Sequence, residues 1–130
     1  MIFEAMIADD EAPARVELRH QLEETGRIKI VQEAVSFPET VAKVKRGGLD
    51  VLFLDWDIAD PENMLLRDAL VQLKNPPLLI LMSAYAEYNP QVFGITPLFY
   101  LLKPTDTEQL NECIAVIEKR HLELIAKGQV

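Results

Sequence analysis

Residues 51–55 read Val-Leu-Phe-Leu-Asp, four apolar residues followed directly by a carboxylate. A short apolar run without polar alternation is typical of a strand in a parallel sheet that is covered on both faces. Similar runs occur at residues 2–8, 28–34, 78–82 and 98–102. We therefore predict five short buried strands, with the quoted run at the centre of the sheet.

Amphipathic helical patterns separate these runs. In each intervening segment apolar residues recur three or four positions apart, as on the buried face of a helix. Ser36 and Glu39 form a capping box that opens the second helix. A short fourth helix is predicted at residues 86–94, and the last helix runs to about residue 126. Glycine or proline ends the first three helices, at Gly26, Gly47-Gly48 and Asn75-Pro76-Pro77.

The elements alternate as (βα)₅, which predicts an α/β fold with a doubly wound parallel sheet. Ligands of such sheets bind beyond the carboxyl ends of the strands. We expect one domain over residues 1–126, with residues 127–130 as a C-terminal tail or the start of a linker.

Bulk composition limits the classes of function. The net charge is −8, with 13 basic and 21 acidic residues, so direct binding of nucleic acid by this domain is not expected. The chain has one cysteine, Cys113, which cannot form an intramolecular disulfide and which lies on the apolar stripe of the last helix. The sequence has no signal-peptide pattern and no apolar run of membrane-spanning length. We expect a cytoplasmic protein without membrane contact.

Polar residues follow four of the five predicted strands. Because the carboxyl ends of parallel strands share one edge of a sheet, we expect these side chains to gather there. Crowded carboxylates either raise a pKa or recruit a hard cation, and Mg²⁺ prefers such oxygen ligands. The residues are Asp9, Asp10, Asp55, Asp57, Ser83 and Lys103.

The residue types predict phosphoryl chemistry. Asp55 would be a carboxylate nucleophile toward phosphorus. Lys103 would place a positive charge on the phosphoryl oxygens, and the Ser83 hydroxyl would donate to them.

Each signal alone has a simpler interpretation. Residues 9–11, Asp-Asp-Glu, could cap the first helix with acids that favour its dipole. Ser83 alone could be a turn residue, and Pro104 could stand in the first turn of the last helix. It is their joint occurrence at successive strand ends that favours a site.

Four motifs stand at the ends of the predicted strands: Ile7-Ala8-Asp9-Asp10-Glu11, Leu52-Phe53-Leu54-Asp55, Met82-Ser83-Ala84 and Tyr100-Leu101-Leu102-Lys103-Pro104. They resemble the signatures of response-regulator receiver domains, most closely those of the LytR/AlgR (LytTR) group. The resemblance covers essentially the whole chain. It implies a flavodoxin-like fold of strand order 2-1-3-4-5. It also implies a two-component protein that a histidine kinase phosphorylates and that controls an output, such as transcription through a DNA-binding domain beyond this chain.

The resemblance also implies a ligand set. Asp55 is the phosphoacceptor of this pattern. Asp9, Asp10 and Asp55 match its Mg²⁺-holding carboxylates, and the backbone carbonyl of Asp57 matches a further metal ligand.

A second group of implied roles concerns the readout of the phosphoryl group. Ser83 and Lys103 match the phosphoryl-binding residues, and Ser83 and Tyr100 match the switch pair. The bond before Pro104 is a candidate cis peptide. The implied partners are a histidine kinase and a second copy of the chain, through the face of the fourth helix, fifth strand and last helix.

The chain departs from the pattern in the segment 56–63. Ala59 stands where proline is usual, Asn63 where glycine is usual, and Phe99 where the group often has aspartate. These changes leave open a pseudo-receiver, a binding module of the same fold that does not use phosphorylation.

An enzyme alternative comes from residues 55–57, Asp-Trp-Asp, which resemble the DxD of haloacid-dehalogenase-type phosphatases. Those enzymes place the acidic pair after the nucleophile, whereas Asp9 and Asp10 precede Asp55. The chain also lacks a cap domain, so turnover of an external substrate is not expected.

Overall fold

The computed structural model describes residues 1–59, 64–85 and 96–129. The strands are β1 (Phe3–Ala8), β2 (Ile28–Ala34), β3 (Val51–Asp55), β4 (Leu78–Ser83) and β5 (Phe99–Leu102). The helices are α1 (Ala12–Glu24), α2 (Phe37–Lys45), α3 (Leu65–Gln72) and α4 (Thr107–Ala126), with a short 3₁₀ helix at Trp56–Ile58.

The five strands form one parallel sheet in the order β2-β1-β3-β4-β5. This confirms the predicted fold and places β3 at the centre, paired with β1 and β4. Ala8 lies opposite Leu54, and Asp55 lies opposite Met82. The carboxyl ends of the three middle strands therefore meet at one edge of the sheet.

Alternate residues of β3 explain why the strand is apolar throughout. Val51 and Phe53 pack into a core cluster with α1 and α4, whereas Leu52 and Leu54 pack into a second cluster with α2 and α3. All five residues of β3 are buried. The sheet is therefore covered on both faces, as the lack of polar alternation predicts. The helical residues of the first cluster are Leu18, Leu22, Leu110, Cys113, Ile114 and Ile117.

The capping box of α2 is present with one difference. The Ser36 hydroxyl accepts the Glu39 N–H at 3.2 Å, and the Glu39 carboxylate accepts the N–H of Val35 at 2.6 Å. That donor is the residue before the cap, rather than the cap itself. Gly26 and Gly47, which follow α1 and α2, have φ of 72° and 73°, in the left-handed region that favours glycine.

One helix boundary differs from its prediction, and one alternative interpretation fails. The α3 helix stops at Gln72, and Leu73 is extended, two residues before the predicted end at Asn75-Pro76-Pro77. The α4 helix starts at Thr107 with Asp106 as its cap, so Pro104 does not stand in its first turn. The alternative interpretation of Pro104 as a helix-opening residue is therefore wrong.

The predicted helix at residues 86–94 lies outside the described residues. In the part of the chain that the structure describes, no helix has the length and apolar character needed to cross a bilayer.

Candidate functional site

Three strands deliver charged residues to the same edge of the sheet. Asp55 ends β3, Asp9 follows the last residue of β1, and Lys103 follows the last residue of β5. The two carboxylates are buried, with exposed fractions of 1% for Asp9 and 0% for Asp55. The Lys103 Nζ atom lies 2.7 Å from Asp9 Oδ2 and 2.7 Å from Asp55 Oδ2. The structure thus brings together three of the residues that the sequence places in the site.

Asp10 joins this pair to form a cluster of three carboxylates. One oxygen each from Asp9, Asp10 and Asp55 lies within 4.8 Å of the others, and Asp10 is the exposed member. Lys103 supplies one positive charge against these three negative charges. Hard oxygen donors with uncompensated negative charge are what Mg²⁺ requires, so the donor set fits a divalent cation of this kind.

Burial and the lysine act in opposite directions on Asp55. Burial raises the pKa of the Asp55 carboxyl, and the hydrogen bonds from Lys103 and from the Asp57 amide offset only part of this effect. Burial alone would lower the pKa of Lys103, but its bonds to Asp55 and Asp9 raise that pKa above the usual value. The ammonium group therefore stays charged at neutral pH.

Short turns orient both buried carboxylates. The Glu11 amide donates to Asp9 Oδ1 at 2.9 Å, and the Asp57 amide donates to Asp55 Oδ1 at 3.0 Å. Each carboxylate keeps its other oxygen for Lys103. Glu11 is the cap residue of α1, but its side chain makes no capping hydrogen bond and the first turn holds no acid, so helix capping does not account for the carboxylates of residues 9–11. The Asp57 side chain is exposed, and a metal bond from its carbonyl stays a prediction.

Ser83 lies beside Lys103 at the end of β4. Its backbone carbonyl accepts the Lys103 N–H at 2.7 Å, and its buried hydroxyl accepts the N–H of Tyr85 at 3.0 Å. Ser83 is thus both a turn residue and a neighbour of the lysine. Tyr100 of β5 lies opposite Leu81 of β4 and is about one-third exposed. Burial raises the pKa of its hydroxyl. The coupling of Ser83 to Tyr100 stays a prediction.

A cavity of about 450 Å³ opens beside the charged cluster. It lies between α1 and the segment after β5, and its walls include Asp9, Asp57, Met82 and Lys103. This volume is within the range of small-ligand sites. The peptide bond between Lys103 and Pro104 is cis.

Arg15 also contacts the site, and sequence reasoning missed it. Its guanidinium donates to the backbone carbonyl of Asp9 at 2.8 Å and to the Glu33 carboxylate at 3.2 Å. Arg19 holds the second Glu33 oxygen at 2.9 Å. These contacts join α1 to the end of β2, across 18 residues for Arg15. Spacing within the sequence gives no signal of them.

Comparisons with known proteins agree with this geometry. Residues 5–115 match the response regulator receiver domain family. The chain is 30% identical over 119 residues to the sensory transduction protein LytT of Bacillus anthracis, covering 92% of this chain and 48% of that protein. It is 31% identical over 110 residues to the transcriptional regulatory protein LytR of Staphylococcus aureus strain N315, covering 85% and 45% respectively.

A solved structure is similar over nearly the full length of both chains. The REC domain of AraT, a response regulator from Geobacillus stearothermophilus, superposes with a TM-score of 0.76 at 30% identity, covering 95% of this chain and 98% of that one. By contrast, the chain spans about half the length of the curated relatives it matches. The predicted resemblance to LytR-type regulators is confirmed, and the chain belongs to the response regulator receiver domain family.

Proposed function

We propose that this chain accepts a phosphoryl group from a histidine kinase on Asp55 and thereby switches a protein-interaction face. One observation carries the proposal. A buried carboxylate ends the central strand with a charged lysine 2.7 Å away and two further carboxylates within 4.8 Å. A structural ion pair would not require the added acids, whose mutual repulsion is costly unless a cation or a phosphoryl group is handled there.

The transfer itself is a displacement at phosphorus. An oxygen of Asp55 forms a bond to phosphorus while the bond from phosphorus to the kinase histidine nitrogen breaks, and its electron pair stays on that nitrogen. The Lys103 ammonium, which keeps its proton, donates to the phosphoryl oxygens, and the Ser83 hydroxyl donates to another of them.

Asp9, Asp10 and Asp55, with the carbonyl of Asp57, would hold the Mg²⁺ ion. When bound, the ion would offset negative charge on the carboxylates and on the phosphoryl oxygens. The protein residues contribute the rest. The turns at Asp9 and Asp55 fix the carboxylates, and Lys103 balances part of their charge before the phosphoryl group arrives.

The proposed output is regulation of transcription. The relative named as a transcriptional regulatory protein is about twice as long as this chain, and we infer that the receiver, residues 1–126 with residues 127–130 as a tail or the start of a linker, acts with a DNA-binding domain. The acidic receiver would act in the cytoplasm on proteins rather than on DNA, and without turnover of an external substrate. Its switching face would consist of the predicted 86–94 helix, β5 and α4, and it would pair with a second copy.

Incubation with phosphoramidate and Mg²⁺, followed by intact-mass analysis, tests the phosphoacceptor. We expect one added phosphoryl group in the parent chain and none in Asp55→Ala. Equal modification of Asp55→Ala would reject the assignment. An unmodified parent chain would favour a phosphorylation-independent pseudo-receiver instead.

Sedimentation with and without beryllofluoride, a phosphoryl mimic, tests the switch. The mimic should draw the Ser83 hydroxyl inward and turn the Tyr100 ring from an exposed to a buried position. The parent should therefore self-associate, whereas Ser83→Ala and Tyr100→Ala should respond less. An identical response of all three proteins would reject the coupling of Ser83 to Tyr100.

A further inference from the structure

The segment that carries Lys103 is held on one side by a glutamine of α1. The Gln21 Nε2 atom donates to the Thr105 carbonyl at 3.1 Å, and the Thr105 hydroxyl donates to Gln21 Oε1 at 2.7 Å. Both polar groups of the Gln21 carboxamide thus form hydrogen bonds with a single residue, 84 positions away in the sequence. A reciprocal pair of this kind fixes direction as well as distance.

A second glutamine holds the other side. The Gln109 Oε1 atom of α4 accepts the Leu102 N–H at 2.9 Å, and Gln109 Nε2 donates to the Leu102 carbonyl at 3.2 Å. Because β5 is an edge strand, this carboxamide takes the place that a neighbouring strand's backbone would occupy. Leu102 and Thr105 directly flank the pair Lys103-Pro104, so both ends of this short segment are fixed by side-chain amides.

The α1 helix contacts the backbone on both sides of the charged cluster. Arg15 bonds the carbonyl of Asp9, and Gln21, about 9 Å further along the helix, bonds Thr105. One rigid element therefore sets the separation between the loop that carries the acids and the segment that carries the lysine. Movement of α1 relative to β5 would displace the ammonium group from the carboxylates.

We propose that Gln21 and Gln109 are positioning residues that hold the Lys103 ammonium against Asp9 and Asp55. The proposal rests on the proposed function, since it assigns these residues a part in phosphoryl transfer. Neither side chain bonds a carboxylate of the cluster; each acts through the backbone that flanks Lys103. The flexible lysine stem has a limited length. The position of its backbone therefore decides which oxygens the ammonium can reach.

Substitution of the anchors should slow phosphorylation without weakening metal binding. In Gln21→Ala and in Thr105→Val we expect the initial rate with phosphoramidate and Mg²⁺ to fall about tenfold, because small misplacements of a reacting group are costly. The double variant should lose no more than Gln21→Ala alone, since Gln21→Ala already removes both bonds and Thr105→Val removes only the one from the hydroxyl. Mg²⁺ affinity, followed by Trp56 fluorescence, should not decrease, because the acids are untouched.

Two matched variants separate positioning from general stability. Thr105→Ser keeps the hydroxyl and should restore the parental rate. Thr25 makes comparable local bonds at the far end of α1, to the Leu22 carbonyl at 2.6 Å and from the Arg27 amide at 3.2 Å. Thr25→Val should therefore leave the rate unchanged. Equal losses in Thr25→Val and Gln21→Ala would reject a positioning role, as would a parental rate in Gln21→Ala.

A readout that needs no phosphorylation keeps the proposal testable by itself. An amine-reactive reagent should modify Lys103 slowly in the parent chain, because its ammonium is bonded to two carboxylates. In Gln21→Ala and Gln109→Ala we expect labelling of Lys103 to rise several-fold relative to the exposed Lys29. If the parent takes no phosphoryl group, the proposed function fails while this labelling still decides the positioning role. Unchanged labelling in both variants would reject it.

Discussion

The two ends of β3 carry the same residue type in opposite circumstances. Asp50 precedes the strand, and its carboxylate accepts the Glu4 N–H at 2.8 Å. Its backbone continues the ladder, donating to the Glu4 carbonyl and accepting from the Leu78 amide. Asp55, at the other end, is buried against Lys103 and Asp9. Only the second carboxylate belongs to a cluster of acids, so the edge of the sheet decides what an aspartate does.

The difference shows where the fold accepts an electrostatic cost. At the amino edge one carboxylate satisfies one backbone donor, which stabilises the start of a strand. At the carboxyl edge burial raises the pKa of Asp55, which means that the charged form is held there at a cost. A cost of this kind at the crevice of a doubly wound sheet is typical of a functional site.

Substitution of Asp55 and of Asp50 should give the largest difference between the two edges, in phosphorylation and in stability respectively. Asp55→Asn should take no phosphoryl group, because the amide oxygen is a poor nucleophile toward phosphorus. Asp50→Ala should be phosphorylated at the parental rate but should lose about 1 kcal/mol of unfolding free energy, the usual cost of one such hydrogen bond. Intact mass and urea denaturation measure the two effects. Slow phosphorylation of a fully folded Asp50→Ala would contradict the separation of the edges.

Lys103→Met should give the next largest effect, with opposite signs on two measurements. Removal of the ammonium should lower the phosphorylation rate about 100-fold, by loss of charge stabilisation at the phosphoryl oxygens. The same change should tighten Mg²⁺ binding, because Lys103 no longer occupies the carboxylate oxygens. Lys74→Met is the matched control, since Lys74 is exposed and lines the same cavity as Asp50 at the amino edge. Weaker Mg²⁺ binding in Lys103→Met would show that the lysine supports the metal site rather than competing with it.

The sequence predicts the carboxyl-edge cluster because short apolar runs are enough to predict parallel strands. In a parallel sheet the residues that follow the strands lie on the same edge. Once residues 51–55 are assigned to a covered strand, Asp9, Asp55 and Lys103 must share an edge. The contacts of Gln21 with Thr105 and of Arg15 with Glu33 could not be predicted in this way. They depend on how far each helix is rotated on the sheet, which packing of the whole core determines.

Asp10→Ala should lower Mg²⁺ affinity by a smaller factor than that by which Lys103→Met lowers the phosphorylation rate. Because Asp10 is the exposed member of the cluster, its loss leaves the buried pair in place. We expect Mg²⁺ affinity to fall by about tenfold or more, the scale of losing one supporting group at a metal site. The fluorescence of Trp56, the only tryptophan, reports the titration next to the site. Asp50→Ala, at the amino edge, should titrate like the parent, and equal curves for all three would remove Asp10 from the ligand set.

Glu39→Gln should give the smallest effect. It tests whether a position at the carboxyl edge is enough to raise the pKa of an acid. Glu39 lies in the first turn of α2, after the carboxyl end of β2, and is only half-buried. The backbone hydrogen bond from Val35 holds its pKa below the usual value, with help from Lys43. A lowered folded-state pKa stabilises the fold above the unfolded-state pKa, and this contribution disappears as the pH falls through the folded value. Glu39→Gln should therefore be slightly less stable than the parent at about pH 7 and equal to it at about pH 3. Denaturation at both pH values measures the difference, with Glu112→Gln on α4 as the exposed control. A stability deficit of Glu39→Gln that persists at about pH 3 would mean that the shape of the side chain rather than its charge stabilises this cap. Loss of the deficit at that pH would show that an acid on this edge keeps a lowered pKa when it is not fully buried, so burial accounts for the raised pKa of Asp55.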